Sequence, residues 1–396
     1  MESIQKLKQL CQFMCVEPAE DVLLIGKTPE ESESKRIDGM KDYCKAGENE
    51  LPIYHAVVPG GKRISLLKIV LTSACERNCN YCAFRAGRDF RRFTFSPDEL
   101  AESFIQHWAE GAVEGLFLSS GVAGGGVRTQ DRLLDTAEIL RLKKGFQGYL
   151  HLKLMPGAEY DQILRAMQLA NRVSINLEAP SPQVLSRLAP QKILMNELLR
   201  PLQWVEDIRQ KQDPHDGWNM HWPSSCTQFV IGAAGENDFE LLNAVDYLHK
   251  KLKLARIYYS AFKPVPDTPF ENLDAAEPLR KIRLYQASFL LRDYGFLPKE
   301  LIVDDNDHLP LNVDPKFLWA MQNLVEVPLE INKAGFQELL RVPGIGWKSA
   351  QEILKVRRFK TIKSLEELAV RGMCTKRAAP FLVVNGVRPI YQLPLF

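Results

Sequence analysis

At 396 residues the chain exceeds what one core usually supports, so one large domain of about 200 to 250 residues with smaller appendages is expected. Formal charge nearly cancels, with 51 Lys and Arg against 49 Asp and Glu, yet residues 333–396 hold 12 basic and 4 acidic residues, which points that segment toward a polyanion. No run reaches the roughly 18 apolar residues of a membrane span, the first residues lack a signal-peptide core, and eight unevenly spread cysteines argue against a disulfide framework, so a soluble, cytoplasmic protein with no membrane partner is expected.

Residues 1–65 are mixed in character and read as an N-terminal extension. From 66 to 300, short β-rich runs alternate with stretches of helical length: 66–72, 115–120, 149–155, 172–178, 227–233 and 256–262. Gaps long enough for helical crossovers force a parallel sheet. Ser96-Pro97-Asp98-Glu99 marks one intervening helix by its cap and proline, with Leu100, Phe104 and Trp108 following at helical steps. The fold class is therefore α/β, a partial (β/α)6 barrel of the TIM type, with chemistry at the C-terminal strand ends. Residues 301–330 read as a connector, 331–388 as a small all-α domain, and 389–396 as an apolar tail.

Cys75, Cys79 and Cys82 directly follow the first predicted strand. Three thiolates in eight residues can hold three irons of a [4Fe-4S] cluster and leave the fourth iron open. A structural zinc with a distant fourth ligand, or a cluster closed by Cys226 or Cys44, remain the alternatives. The loop after the cysteines carries Arg85, Arg88, Arg91 and Arg92, read as a solvated surface or as a phosphate contact. In the third strand, alternation sets Leu150, Leu152 and Leu154 on one face and His151, Lys153 and Met155 on the other. His151 and Lys153 are thus candidate catalytic groups, or a buried hydrogen-bonded pair.

Cys-x3-Cys-x2-Cys with Tyr81 before the last cysteine resembles the signature of the radical S-adenosylmethionine (SAM) superfamily. The resemblance extends to Ser119-Ser120-Gly121, Asn176 with Glu178, and Phe229–Glu236. It implies that Tyr81, Ser119, Ser120 and Gly121 lie beside the methionyl end of SAM, that Asn176 and Glu178 touch the ribose, and that backbone around Ile231 and Gly232 borders the adenine. The implied chemistry is reductive cleavage of SAM to a 5′-deoxyadenosyl radical, with a flavodoxin or ferredoxin as electron donor.

"LLRVPGIGWKSAQEIL" (339–354) resembles the helix-hairpin-helix motif of DNA repair proteins. Gly344, Ile345 and Gly346 permit a tight turn whose amides can face a phosphate at a helix start, and Lys348 adds charge. A second copy, 28 residues on, aligns Leu368 with Leu340, Val370 with Val342, Gly372 with Gly344 and Lys376 with Lys348; Cys374 replaces Gly346, so that turn is expected to serve packing. Arg357 and Arg358 lie between the copies. A protein-interaction hairpin is the alternative. The end, Gln392-Leu393-Pro394-Leu395-Phe396, resembles the peptide by which bacterial DNA enzymes engage the sliding clamp; docking onto the chain's own helices is the alternative. Along its length the chain resembles a family of radical SAM proteins linked to DNA modification or repair, associated with a DNA glycosylase-like partner. An enzyme modifying a nucleotide in DNA is therefore expected. The rivals are an RNA-modifying enzyme, an enzyme acting on a small nucleotide or protein, and a non-enzymatic iron-sulfur DNA-binding module.

Overall fold

The computed structural model describes residues 53–57, 63–369 and 373–390, together with Lys6 and Leu10. Cys11, Cys15, Cys44, Val370, Gly372 and the tail residues Gln392, Leu393, Leu395 and Phe396 lie outside the described residues. The chain divides into two compact units, one running to Glu236 and including Leu248–Ala276, the other comprising Asn237–Tyr247 and Glu277 onward.

The first unit is built on a seven-stranded sheet in simple sequence order. Its strands are β1 (Ile53–Val57), β2 (Arg63–Val70), β3 (Gly115–Ser119), β4 (Tyr149–Lys153), β5 (Arg172–Ser174), β6 (Ser224–Ile231) and β7 (Arg256–Ala261). From β2 to β7 every neighbouring pair is parallel, and helices fill the crossovers, giving the open half-barrel expected from the sequence. Six apolar runs became six strands because a parallel sheet covered by helices buries its strands almost throughout, as in β3, all five residues of which are buried.

Two departures stand out. The sheet begins earlier than 66: β1 pairs antiparallel with β2, Ile53 opposite Leu67, so part of the expected extension is an edge strand. Meanwhile β5 keeps only three residues, because the backbone leaves the ladder after Ser174 and reaches a left-handed turn at Glu178 (φ 66°). The Glu178 amide donates to Gln228 O at 2.9 Å and its carbonyl accepts from Val230 N at 2.8 Å, which fixes this turn against β6.

Helix α1 (Pro97–Ala109) starts as the sequence requires, with Ser96 Oγ accepting from Glu99 N at 3.1 Å and Pro97 in the first turn. The Glu99 carboxylate accepts from Lys6 Nζ at 2.8 Å. Leu100 and Phe104 are fully buried, and Phe104 meets Phe146 edge-on at 5.0 Å. Burying such a side chain contributes about 1.5–3 kcal/mol. Helices α2 (Gly126–Glu138) and α3 (Tyr160–Leu169) continue this outer layer, each packed on its predecessor.

Most of the second unit is helical: α7 (Pro278–Asp293), α8 (Pro315–Asn323), α9 (Phe336–Arg341), α10 (Trp347–Arg357), α11 (Glu366–Ala369) and α12 (Thr375–Ala378), the intervening labels α4 to α6 belonging to Pro182–Leu188, Arg200–Lys211 and Asp238–Lys251. Helix α7, which falls within the stretch expected to form the barrel domain, groups with this unit. One apolar core joins both hairpins, including Leu340, Val342, Ile345, Ala350, Leu368 and Ala378. A short parallel pair, β8 (Leu329–Glu330) with β9 (Leu382–Val383), ties the segment before the first hairpin to the segment after the second.

Candidate functional site

At the C-terminal ends of the strands, the first unit opens into a cleft of about 170 Å3 that gathers Cys75, Cys79, Cys82, Tyr81, Ser119, Ser120, Gly121, Asn176 and Glu178. The strand alternation that places residues inside the barrel also sorts them by depth. Lys153, Asn176 and Gln228 reach the cleft, while His151, Ser174 and Cys226, two residues earlier in the chain, form the layer beneath. Lys153 Nζ donates to Asn176 Oδ1 at 2.5 Å. In the lower layer, His151 Nε2 bonds Ser174 Oγ at 2.8 Å, Cys226 Sγ lies 3.8 Å from the same nitrogen, and the Phe117 ring stands edge-on at 4.5 Å. His151 therefore lies one layer beneath the cleft lining, and Lys153 is the charged group that β4 presents to the cleft. Ile231 and Gly232 likewise do not line it; Gly232 N donates to Glu236 Oε1 at 2.5 Å, and a side chain there would stand 2.4 Å from the Ala276 Cβ.

The cysteine loop is clamped from several directions. Glu76 N donates to Val122 O at 2.8 Å, and its carboxylate accepts from the amides of Gly124 and Gly125 at 3.0 and 3.2 Å, joining the loop to the turn after β3. Gly121 is required there, since an added Cβ would lie 2.3 Å from Ala74 O. Arg77 donates to Glu197 Oε1 and Gln191 O, both at 2.7 Å. Of the four arginines expected to be solvated or to meet phosphate, Arg91 is exposed, whereas Arg88 and Arg92 bind backbone carbonyls. Arg92 donates to the carbonyls of Ser73, Phe84 and Arg85 at 2.8, 2.9 and 2.8 Å, and Arg88 to those of Pro266 and Ala83.

Electrostatically, the cleft holds one strong pair that the sequence did not reveal: Lys192 donates to Glu178 Oε1 at 2.8 Å, both side chains largely buried. Burial works against the Lys192 charge, but Glu178 and the thiols more than offset it, so the ammonium is retained. The other carboxylate oxygen, Glu178 Oε2, is buried without a hydrogen-bond partner. Burial, and then the nearby Glu178, hold the Tyr81 hydroxyl protonated.

All three cysteines are free thiols. Burial, reinforced by the mutual influence of the sulfurs, pushes the Cys82 thiol up to about 12 and raises that of Cys79. Such thiols ionise only beside added positive charge, which an iron-sulfur cluster supplies. Among the described residues, no three His, Cys, Asp or Glu side chains converge on a point fit for one metal ion. Three cysteine thiols lining one cleft are a donor set of the kind that holds an iron-sulfur cluster. Cys226, held beneath the cleft by His151, is not placed to close the fourth corner.

Residues 69–248 match the Radical SAM superfamily, and residues 325–378 match the helix-hairpin-helix motif. The chain carries a radical SAM domain. A domain of this kind implies an enzyme that uses SAM and a [4Fe-4S] cluster. Among curated proteins none matches the sequence. Similar solved structures include the FeFe-hydrogenase maturase HydG from Carboxydothermus hydrogenoformans, at 16% identity and a TM-score of 0.45 over 57% of this chain and 51% of that one. They also include methylornithine synthase, at 13% identity and a TM-score of 0.46 over 70% of this chain and 68% of that one. The chain thus spans about half the length of the maturase.

In the second unit, the first hairpin turn has Gly344 at φ 84°, with Gly346 capping α10. Lys348 and Lys376 occupy equivalent, exposed positions in the two copies. Ile345 is 1% exposed, so only its backbone can meet a ligand. Arg357 donates to Ala334 O at 2.5 Å and serves the hairpin itself, whereas Arg358 is exposed. Cys374 N donates to Gly344 O at 3.3 Å, and a Cβ on Gly344 would stand 2.5 Å from Cys374 O, so the second copy packs on the first turn.

Proposed function

We propose that this chain is a radical SAM enzyme that modifies or repairs a nucleotide in DNA, held by the paired hairpins. The observation that carries the reading is the union, in one chain, of a three-thiol cleft and a basic helix-hairpin-helix pair. Cys75, Cys79 and Cys82 would hold the cluster, while Ser119, Ser120, Gly121, Asn176 and Glu178 would receive SAM. Together these groups supply, when bound, reductive cleavage of the sulfonium and hydrogen abstraction from an unactivated carbon.

The residues around them orient and exclude. Lys192 fixes Glu178 so that Oε2 is offered to a donor hydroxyl, and Asn176 fixes the Lys153 ammonium toward an acceptor on the substrate. Val70, Leu154, Met155 and Ile175 line the cleft with apolar surface that keeps water away. A base would leave the duplex stack to enter such a site. A flavodoxin or ferredoxin, a DNA glycosylase-like protein and the sliding clamp are the partners this reading calls for.

The test is anaerobic reconstitution with SAM and reductant, assay of 5′-deoxyadenosine, and mass spectrometry of nucleosides from incubated duplex DNA. A changed nucleoside is expected, with Cys79→Ala losing cluster and 5′-deoxyadenosine together. A product on tRNA alone would move the reading to RNA; no 5′-deoxyadenosine from a protein with intact cluster would leave a binding module.

A further inference from the structure

Between the hairpins the chain reads Lys355-Val-Arg-Arg-Phe-Lys-Thr-Ile-Lys363, five basic residues and no acidic one. Phe359, at its centre, is 83% exposed, whereas no other described Phe, Tyr or Trp exceeds 46%. Its exposure is built in. The amides of Phe359 and Lys360 both donate to Val356 O at 3.0 Å, closing the end of α10. Three residues on, Ile362 is fully buried, its amide donating to Asn332 Oδ1 at 3.0 Å and its carbonyl accepting from Asn332 Nδ2 at 2.9 Å. Lys360 pairs with Glu367 at 2.5 Å. The loop is thus pinned on both sides of a ring held out in solvent.

Charge narrows what can cover that ring. Arg357 is engaged by Ala334 O, Lys360 by Glu367 and Lys355 by Glu352 at 3.9 Å, while Arg358 and Lys363 remain exposed in the same loop. An apolar protein groove would have to desolvate these cations, at a cost of several kcal/mol per unpaired charge (roughly). A nucleotide satisfies both features, its base stacking on the ring and its phosphates meeting the cations. A base inside an intact duplex has both faces covered by its neighbours, so the ring can engage only one that has left the stack.

We propose that Phe359 is a stacking platform for an unpaired base, with Arg358 and Lys363 on the flanking phosphates. This site rests on the nucleic-acid reading given above and adds a preference for distorted or single-stranded DNA. The test is fluorescence anisotropy of the full chain with labelled oligonucleotides of equal length: a perfect duplex, a duplex with a small bubble, and a single strand. The intact protein is expected to favour the bubble. Phe359→Ala should weaken bubble binding by about tenfold and leave duplex binding unchanged, while Phe359→Trp keeps the preference. Circular dichroism confirms that each variant is folded. A Phe359→Ala protein that retains the bubble preference overturns the platform and leaves the nucleic-acid reading standing, assigning the ring to a protein interface. A full chain that binds none of the three oligonucleotides overturns both.

Discussion

Arg92 shows what a single side chain contributes to the cleft. Its guanidinium gathers the carbonyls of Ser73, Phe84 and Arg85 and lies over the Phe90 ring at 4.3 Å, so one planar fork holds both ends of the cysteine loop. A lysine could reach one or two of these oxygens but not span them. Arg92→Lys is therefore expected to lose about 1–3 kcal/mol of local support and to retain less iron after anaerobic reconstitution, measured as iron per chain and by visible absorbance. Iron retention equal to that of the unaltered protein would show that the loop is held elsewhere. The cysteines themselves were legible because their spacing is local. Arg88 and Arg92 were misread for the opposite reason: a basic loop looks solvated until the carbonyls it folds around are known. Lys192 carried no local signal, since its partner Glu178 lies earlier in the same β5–β6 connection with helix α4 between them.

Among elements, the six parallel strands were readable because burial on both faces writes itself as continuous apolar runs. Strand β1 escaped notice because Ile53–Val57 is short and mixed, although Pro59-Gly60-Gly61 before the next run is a turn signature. The depth of His151 was hidden for a subtler reason: alternation tells which face a residue takes, not how far along the strand the cleft floor lies. In the hairpin unit, Lys316 Nζ donates to Ile345 O at 2.7 Å and lies over the Tyr294 ring at 4.6 Å. Burial lowers its ionisation to about 7, Arg377 adding to the effect and Asp314 opposing it. An unfolded lysine titrates near 10.4, so between about pH 7 and pH 10 the unfolded chain binds the extra proton and stability rises with pH. Below about pH 7 the full burden of charging Lys316 is present. Urea unfolding of the full chain across this window should show Lys316→Met flattening the slope by up to about 1.4 kcal/mol per pH unit. Identical slopes in the two proteins would exclude Lys316 as the source.

For the whole molecule, the near-zero formal charge conceals a division of labour, since the segment from 333 onward holds 12 basic and 4 acidic residues. Lys348 and Lys376 are exposed at matching places in the two hairpins, and under the proposed nucleic-acid reading they would meet phosphates. The double variant Lys348→Ala/Lys376→Ala should lower the salt dependence of duplex binding, reducing the slope of log K against log salt by about 1 to 2, with little change in sequence preference. An unchanged slope would direct attention to other cations.

The close approach of Gly344 to Cys374 has a consequence for how this region unfolds. Neither copy can be removed without stripping the other of its support, because the first turn leans on backbone from the second and both share one core. The duplicated motif should melt in a single cooperative transition, and a frameshift or protease cut between its halves would disable both at once.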